Sequence, residues 1–350
     1  MTVPTESLTI GMPAGSLADP KRGGNLIQLL DNAGFKTSGY DAGGPSRITS
    51  VNFLFGWDGR PQEFGSQLAI QELDAAIAGD DWILERQMEM KYEFDTDIRL
   101  EKVLSLKRGN VKLVGIADKS GNISSSEFIS GIMAEKGMIT AVSEMPYITV
   151  NWIRNKLEEA GILSQYDQYS VQKYKTPPRI RKGVVVYETW GKTESKVRNG
   201  GADVGVEITQ SGSSIRNYGL TILDTVMESE TGIWINPVLK NDRNKSELMR
   251  MFLVNLYGCV NAENKVMILF NVGNEHVEKI EEYLRKNNLF ADEPTVNRGK
   301  TYTEFSIQVD QDNDLLPLAK IRYELAMLNA KNIDTIPVDS SIPSIDILGF

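Results

Sequence analysis

A strand followed by a short polar loop, at residues 203–215, constrains the fold of this chain more than any other stretch. Apolar and polar residues alternate from 203 to 209, which is the period of a strand with one buried face. The buried face would carry Val204, Val206 and Ile208, and the open face would carry Asp203, Gly205, Glu207 and Thr209. At about 3.3 Å per residue, the two carboxylates would lie roughly 13 Å apart, too far to act on one atom. Glu207, nearer the end of the strand, is the better candidate for contact with a ligand.

The loop after this strand consists of small polar residues: Gln210, Ser211, Gly212, Ser213 and Ser214. A short helix is predicted to begin at Ser213 or Ser214. Backbone N–H groups at such a point favour an anion, and the hydroxyl groups add further donors. A carboxylate just before the loop suits the diol of a sugar. The stretch can therefore be interpreted as a sugar-phosphate site or as an ordinary serine-capped helix after a strand.

Length and composition set the broad class of protein. A chain of 350 residues is too long for one ordinary core, so two or three domains are expected. No apolar run approaches the roughly 18 residues of a membrane span, and the first residues lack a secretory signal pattern. The single cysteine, Cys259, excludes an intrachain disulfide and fits a reducing compartment. These features predict a cytoplasmic protein without a membrane segment.

Charge and histidine content narrow the function. The formal net charge of −9 argues against a nucleic-acid partner, because such proteins usually carry a basic face. Nucleotide substrates stay open, since local Lys and Arg residues or Mg²⁺ can hold phosphates in an acidic protein. The only histidine in the sequence is His276, so a histidine-based zinc site or a Ser-His-Asp triad is nearly excluded.

Strand and helix patterns divide the first 262 residues into two α/β units. The first unit would contain strands at 7–12, 47–55, 73–77 and 100–106 and a helix at 25–33. The second would contain strands at 111–117 and 183–188, a helix at 144–160 and an exposed connection at 164–181. Strands at 220–226 and 232–235, and a helix at 248–256, would return the chain to the first unit. This is a two-lobe layout with a cleft between the lobes, where ligands usually bind.

A separate pattern begins near Asn264. The predicted elements are a strand at 266–272, a helix at 275–286, strands at 294–296 and 302–309, a helix at 315–328 and a strand at 332–338. The order βαββαβ is that of a ferredoxin-like module.

Several motifs resemble the ATP phosphoribosyltransferases, the first enzymes of histidine biosynthesis. Residues 202–220 are similar to the family's loop for phosphoribosyl diphosphate (PRPP), with Glu207 where aspartate is usual and Tyr218 inserted. Residues 60–64 match the family's Arg-Pro-Gln-Asp/Glu segment, residues 79–85 match Thr-Gly-x-Asp-Trp-Ile-x-Glu, and residues 190–197 resemble Gly-Ala-x-Glu-x-Lys. Near the N-terminus the family's Pro-Lys-Gly-Ser-Leu is represented by residues 13–17, where Ala14 replaces the lysine that would contact diphosphate.

The resemblance implies transfer of the phosphoribosyl group of PRPP to an adenine ring nitrogen of ATP, with Mg²⁺ as cofactor and diphosphate as the leaving group. Catalytic roles would fall on Glu207 and Arg60. PRPP would be bound by Asp203, Glu207, Gln210, Ser211, Gly212, Ser213 and Ser214. Contacts to diphosphate and ATP would come from Gly15, Ser16, Arg60, Asp81 and Glu194. Asp81 could instead cap the helix that follows it, and Glu194 could be a surface charge.

The same resemblance implies an α/β fold with a two-lobe catalytic unit like that of periplasmic binding proteins, followed by a ferredoxin-like βαββαβ domain. Lobe I would comprise residues 1–108 and 213–262, and lobe II residues 109–212. Residues 263–350 would form a regulatory domain that binds histidine as a feedback inhibitor, and the protein would be a homo-oligomer, either a dimer or a hexamer. Two alternatives remain open: a non-catalytic two-lobe ligand-binding or regulatory protein, and a phosphoribosyltransferase acting on another nucleobase.

Overall fold

The computed structural model describes residues 7–13, 25–38, 47–48, 54–118, 121, 123–289, 295–346 and 348–349. The chain folds into two compact units. The larger takes in the described parts of Met1–Gln28 and Phe35–Arg250, and the smaller takes in those of Leu29–Gly34 and Met251–Gly349. None of the described helices is long and apolar enough to cross a bilayer.

Strands and helices largely alternate along the chain. The first are β1 (Leu8–Pro13), α1 (Leu26–Asn32), β2 (Thr37–Ser38), β3 (Arg47–Ile48), β4 (Leu54–Gly59), α2 (Pro61–Ala69), β5 (Ala75–Gly79), α3 (Asp80–Phe94) and β6 (Glu101–Ala117). The next are α4 (Ser125–Lys136), β7 (Met138–Ser143), α5 (Pro146–Glu159), β8 (Tyr169–Lys173), β9 (Gly183–Glu188), α6 (Thr193–Arg198), β10 (Val204–Thr209), α7 (Ser213–Asn217) and β11 (Thr221–Ile235). The last are α8 (Arg243–Ala262), β12 (Lys265–Gly273), α9 (Val277–Lys286), β13 (Thr295–Arg298), β14 (Tyr302–Asp310), α10 (Leu318–Met327) and β15 (Lys331–Pro337).

One nine-stranded sheet organises the larger unit, in the order β4-β1-β5-β11-β6-β10-β7-β9-β8. Its two longest strands, β6 and β11, pair antiparallel in the middle, with Thr221 opposite Ala117 and Ile235 opposite Glu101. On one side β4, β1 and β5 are parallel, and on the other β10, β7, β9 and β8 are parallel. Two sets of parallel strands joined by a long antiparallel pair give the predicted two-lobe arrangement.

The central strands differ from the prediction. Residues 100–106 and 111–117 were expected as separate strands, as were 220–226 and 232–235, yet each pair forms one strand. The polar residues between them are of types common in turns, but here they form irregular positions within a continuous strand. Lys107 and Gly109 have positive φ, and the pairing shifts register between Ser229 and Thr231. The connection at 164–181 also contains strand β8, which pairs parallel to β9 at the edge of the sheet.

The second half of the sheet is covered by helices on both faces. Strand β9 shows this directly, because Val184 and Val186 belong to one buried cluster and Val185 and Tyr187 to another. The first cluster packs against α4 and α5, and the second against α6 and α7. Burying alternate side chains on opposite faces explains why this strand is almost wholly apolar.

The smaller unit contains an antiparallel sheet in the order β13-β14-β12-β15. Two helices, α9 and α10, pack on a single buried cluster that includes Phe270, Phe305, Ile280 and Ile321. The rings of Phe270 and Phe305 stack with centroids 5.3 Å apart. Element order and strand order are those of a ferredoxin-like βαββαβ module, so the predicted fold class is confirmed for both units.

Candidate active site

The stretch that the sequence singled out forms a strand, a tight loop and a short helix, as predicted. Strand β10 lies between β6 and β7, and α7 begins at Ser213. Within the loop, the N–H of Gly212 donates to Thr209 Oγ1 at 2.8 Å, and the N–H of Ser213 donates to Ser211 Oγ at 3.3 Å. Gly212 itself is buried and has φ of 69°, a left-handed conformation that favours glycine. Hydrogen bonds between near neighbours in the sequence, together with the glycine at 212, thus determine the backbone conformation of residues 210–214.

Close packing of α6 on strand β10 brings two predicted site residues together. A Cβ at Gly205 would lie 2.9 Å from Thr193 Cγ2, so a glycine there lets the helix approach the strand. Glu194, the next residue of α6, accepts a hydrogen bond from the hydroxyl of Ser214. Glu194 is buried rather than a surface charge. The 210–214 loop is therefore held by a carboxylate from a different element.

Glu207 lies on the same face of β10 as Gly205, two residues closer to the loop. Its Oε2 is buried and, among the residues that the structure describes, has no hydrogen-bond partner. Burial and, to a smaller extent, the nearby carboxylates of Glu194 and Glu144 raise the pKa of Glu207 to about 7, although interactions with Thr193 and with the backbone of Ile208 lower it. Such a group changes charge near neutral pH, and a ligand that donates hydrogen bonds would favour its ionised form.

Two further glutamates, neither of them predicted as a site residue, lie at the same edge of the sheet. Glu144 directly follows β7, and Glu188 is the last residue of β9. Together with Glu207 near the end of β10, they mark the carboxyl ends of three neighbouring parallel strands, where ligands bind in open α/β sheets. The sequence did contain a signal for Glu144 and Glu188, because each acid comes at the end of a largely apolar strand.

Asp203 is not brought to the loop. It lies at the opposite end of β10, where its carboxylate accepts hydrogen bonds from the N–H of Thr140 at 2.8 Å and from Thr140 Oγ1 at 2.7 Å. It also forms an ion pair with Lys136. These contacts join the start of β10 to β7, and the structure gives Asp203 a role in positioning the strand.

Asp81 lies in the first turn of α3, two residues after the N-cap residue Gly79. Its Oδ1 accepts from the N–H of Trp82 at 2.9 Å, and its own N–H donates to Ser229 Oγ at 3.1 Å. Burial raises the pKa of its carboxyl group. The preceding Asp80 pairs with Lys102, which also pairs with Glu230 at 2.7 Å. Acids in the first turn stabilise a helix through its dipole, which accounts for both residues.

A cavity of about 310 Å³ lies beside the strand ends, and we call it the Trp cleft. Its lining includes Arg60, Arg86, Trp82, Tyr147, Glu144 and Trp190. Arg60, predicted as a phosphate contact, is exposed at the start of α2. Gln210 is also exposed and lines a different cavity, with Lys112 and Glu230. Gly15 and Ser16, the remaining predicted contacts, lie outside the described residues.

Glu85 connects α3 to the start of α5 and forms part of the wall of the Trp cleft. Its carboxylate accepts from the N–H groups of Tyr147 at 3.0 Å and Ile148 at 2.8 Å. These are first-turn donors of α5, which have no partner within their own helix. Burial nevertheless raises the pKa of Glu85 to about 8, against the two hydrogen bonds that lower it.

Replacing Glu85 with glutamine should therefore weaken the dependence of stability on pH. Between the ordinary pKa of 4.5 and the folded value of about 8, the folded chain holds more protons than the unfolded chain, so stability falls as pH rises. One pKa unit corresponds to about 1.4 kcal/mol. We expect Glu85→Gln to gain up to a few kcal/mol relative to the wild type between about pH 5 and about pH 8. Urea unfolding of both proteins at the two pH values measures this. The same stability difference between variant and wild type at both pH values would contradict the prediction.

Comparison with known proteins identifies the family of this chain. The family model described as ATP phosphoribosyltransferase matches residues 60–257, more than half of the chain. A protein named ATP phosphoribosyltransferase 1 from Geobacter sulfurreducens is 26% identical over 347 residues, which cover 96% of this chain and 99% of that one. An ATP phosphoribosyltransferase from Pelodictyon phaeoclathratiforme is 27% identical over 286 residues, 78% of each chain. A solved ATP phosphoribosyl transferase (HisG:HisZ) complex from Thermotoga maritima matches with a TM-score of 0.48 and 19% identity, over 71% of this chain and 96% of that one.

The family model and the curated relatives define an enzyme of the phosphoribosyltransferase class. Within that class, the chain belongs to the ATP phosphoribosyltransferase family. Membership implies ATP and PRPP as substrates and the first step of histidine biosynthesis as the pathway position.

Proposed function

We propose that this protein transfers the phosphoribosyl group of PRPP to an adenine ring nitrogen of ATP, forming phosphoribosyl-ATP and diphosphate. The observation that supports this most directly is the meeting of Glu207, Glu194 and Ser214 where β10 passes into the loop. The loop is rich in hydroxyl groups, and Glu207 has a buried oxygen without a hydrogen-bond partner among the described residues. These features suit the two ends of a ribose phosphate.

The loop at 210–214 would bind the 5-phosphate of PRPP through its backbone N–H groups and serine hydroxyls. Glu207 would accept hydrogen bonds from the ribose hydroxyls through Oε2, the atom that has no partner among the described residues. Its negative charge would also stabilise the positive charge that develops at the anomeric carbon. Asp203 would act indirectly, by holding β10 in place against Thr140.

The attacking adenine nitrogen is already a nucleophile, so positioning and electrostatics would supply most of the rate. Arg60, exposed at the mouth of the Trp cleft, would contact diphosphate. Mg²⁺ would neutralise that diphosphate when bound. Nowhere in the described ranges do three or more His, Cys, Asp or Glu residues form a group able to hold a metal. The residues present therefore fit an ion that is carried mainly by substrate phosphates, which is the usual mode for Mg²⁺.

The choice of acceptor tests this proposal. Diphosphate release from PRPP should be measured with ATP and, separately, with free adenine, hypoxanthine, guanine and uracil. We expect diphosphate release only when ATP is the acceptor. Release with a free base and none with ATP would indicate a phosphoribosyltransferase for another acceptor. Tight binding of PRPP without release under any condition would indicate a non-catalytic protein.

We further propose that residues 263–350 regulate the enzyme by binding histidine. The catalytic unit would consist of two lobes, formed by residues 1–108 with 213–262 and by residues 109–212. The enzyme would be cytoplasmic and a homo-oligomer. The separate core of the βαββαβ module supports the first of these, because a module with its own buried cluster can bind an effector independently. The parallel strands on each side of β6 and β11 support the second.

Histidine is expected to inhibit the full-length protein without competing with PRPP. An effector that binds a separate module acts by favouring one conformation of the enzyme, so its effect should persist at saturating PRPP. Initial rates at varied PRPP and histidine measure this, with lysine and arginine as control amino acids. Purely competitive inhibition, or no binding of histidine, would contradict the regulatory role.

A further inference from the structure

Two tryptophan rings face each other in the Trp cleft. Trp82 comes from α3 and Trp190 from the segment between β9 and α6. Their centroids are 6.5 Å apart and their planes differ by 17°, so the rings are nearly parallel. Trp82 is half-buried, whereas 61% of Trp190 is exposed. Stacking on Trp82 thus sets the orientation of the Trp190 ring, most of which is exposed to solvent.

The backbone beside Trp190 is held firmly although its ring is exposed. Gly191 donates its N–H to Glu144 Oε1, and its carbonyl accepts from Lys196 Nζ at 2.6 Å. An exposed indole contributes little to folding, since its apolar surface stays in water. A fixed backbone that presents an exposed aromatic face is instead typical of a stacking surface for a planar ligand.

The charges of the cleft indicate which part of a nucleotide it suits. Five glutamates line it, against the two arginines Arg60 and Arg86. Arg86 is already engaged, with Glu89 and with the carbonyl of Gln62 at 3.1 Å. This lining suits a neutral ring with an exocyclic amino group better than a triphosphate, because Glu144 and Glu188 offer acceptor oxygens, although Glu188 also pairs with Lys173.

The cleft also lies next to the proposed ribose site. Glu144 lines both the Trp cleft and the small recess that contains Glu207. A base in the cleft and a ribose at Glu207 would therefore be neighbours on either side of one side chain. Reaction between the two substrates requires that adjacency.

We propose that the adenine ring of ATP binds in the Trp cleft, stacked on Trp190, with its triphosphate outside the glutamate lining. This deepens the proposed function and rests on it for the identity of the nucleotide. Trp190 is assigned as a specificity-determining residue for the base, and Trp82 as the residue that sets the plane of its ring.

Binding of ATP to the protein without PRPP tests the proposal. Base–aromatic stacking measured by alanine substitution corresponds to about 5- to 150-fold in affinity. We expect Trp190→Ala to raise the Kd and the KM for ATP within that range, to weaken adenosine binding similarly, and to leave the KM for PRPP within about twofold. Trp190→Phe keeps a stacking face and should stay within about threefold of the wild type. Tripolyphosphate, which has no base, should bind both proteins equally.

Phe94→Ala is the matched control, because that side chain is 63% exposed on α3 and does not line the Trp cleft. It should leave ATP affinity unchanged. The inference is overturned if Trp190→Ala binds ATP as the wild type does, or if it loses tripolyphosphate as strongly as ATP. The two proposals fail separately. Product formation by Trp190→Ala with an unchanged Kd and KM for ATP would remove only the stacking role, whereas stacking-dependent ATP binding without any product would remove only the proposed reaction.

Discussion

Replacing Gly212 with valine is expected to lower the affinity for PRPP by about 100-fold while the protein stays folded. The residue has φ of 69°, and a Cβ there would lie 3.0 Å from Arg216 Nη1 and 3.3 Å from Ile222 Cδ1. A β-branched side chain would have to leave this conformation and move the N–H groups of the loop. Each hydrogen bond to a charged phosphate contributes about 1.5–3 kcal/mol, so loss of one or two accounts for the effect.

Gly219→Val is the matched control for backbone strain. Gly219 has nearly the same φ, 68°, but nothing lies within 4 Å of the place its Cβ would take. It follows α7 and is not part of the 210–214 loop. PRPP titrations should show affinity close to wild type for Gly219→Val and a large loss for Gly212→Val, with circular dichroism confirming that both fold. Equal affinity in the two variants would remove the loop from the PRPP site.

Replacing Glu207 with glutamine is expected to reduce kcat/KM for PRPP by about 10- to 150-fold. The change keeps the shape of the side chain but removes its charge, and a hydrogen bond to a charged group contributes about 1.5–3 kcal/mol. Steady-state rates at varied PRPP measure the loss. Turnover within about twofold of the wild type would contradict contact between Glu207 and the ribose.

The pH profile separates this role from a structural one. With a pKa of about 7 for Glu207, the ionised acceptor form grows as pH rises, so kcat/KM of the wild type should increase through about pH 7. The glutamine variant should lack that increase. Asp203→Asn, which removes a charge at the other end of the same strand, should lower stability through its lost pairing with Lys136 and Thr140 and should keep the profile.

The local features of the fold could be predicted from the sequence. The alternation in β10 and the glycine turn before α7 depend on residues within a few positions of one another, and both predictions were confirmed. The same holds for the βαββαβ module, whose helices and strands each carry a regular period. The type of element can be predicted from the period of the apolar residues, because a strand and a helix bury one face with different periods.

Features that depend on distant pairing were missed. The polar residues near Arg108 and Glu230 have the composition of turns, but pairing between β6 and β11 continues across them with shifts of register. For the same reason the sequence alone did not predict that Glu144 lies beside both Trp190 and Glu207, because these residues come together only when the parallel strands align. Asp81 matched a family motif, but its position in the first turn of α3 shows that a motif match does not separate ligand contacts from helix capping.

The products formed from ATP, PRPP and Mg²⁺ test the central claim most directly. Mass spectrometry should identify the nucleotide product, and a separate assay should quantify the diphosphate released. We expect one diphosphate for each phosphoribosyl-ATP, with the new bond on an adenine ring nitrogen. Diphosphate released without that adduct, or no adduct from folded protein that binds both substrates, would contradict the claim.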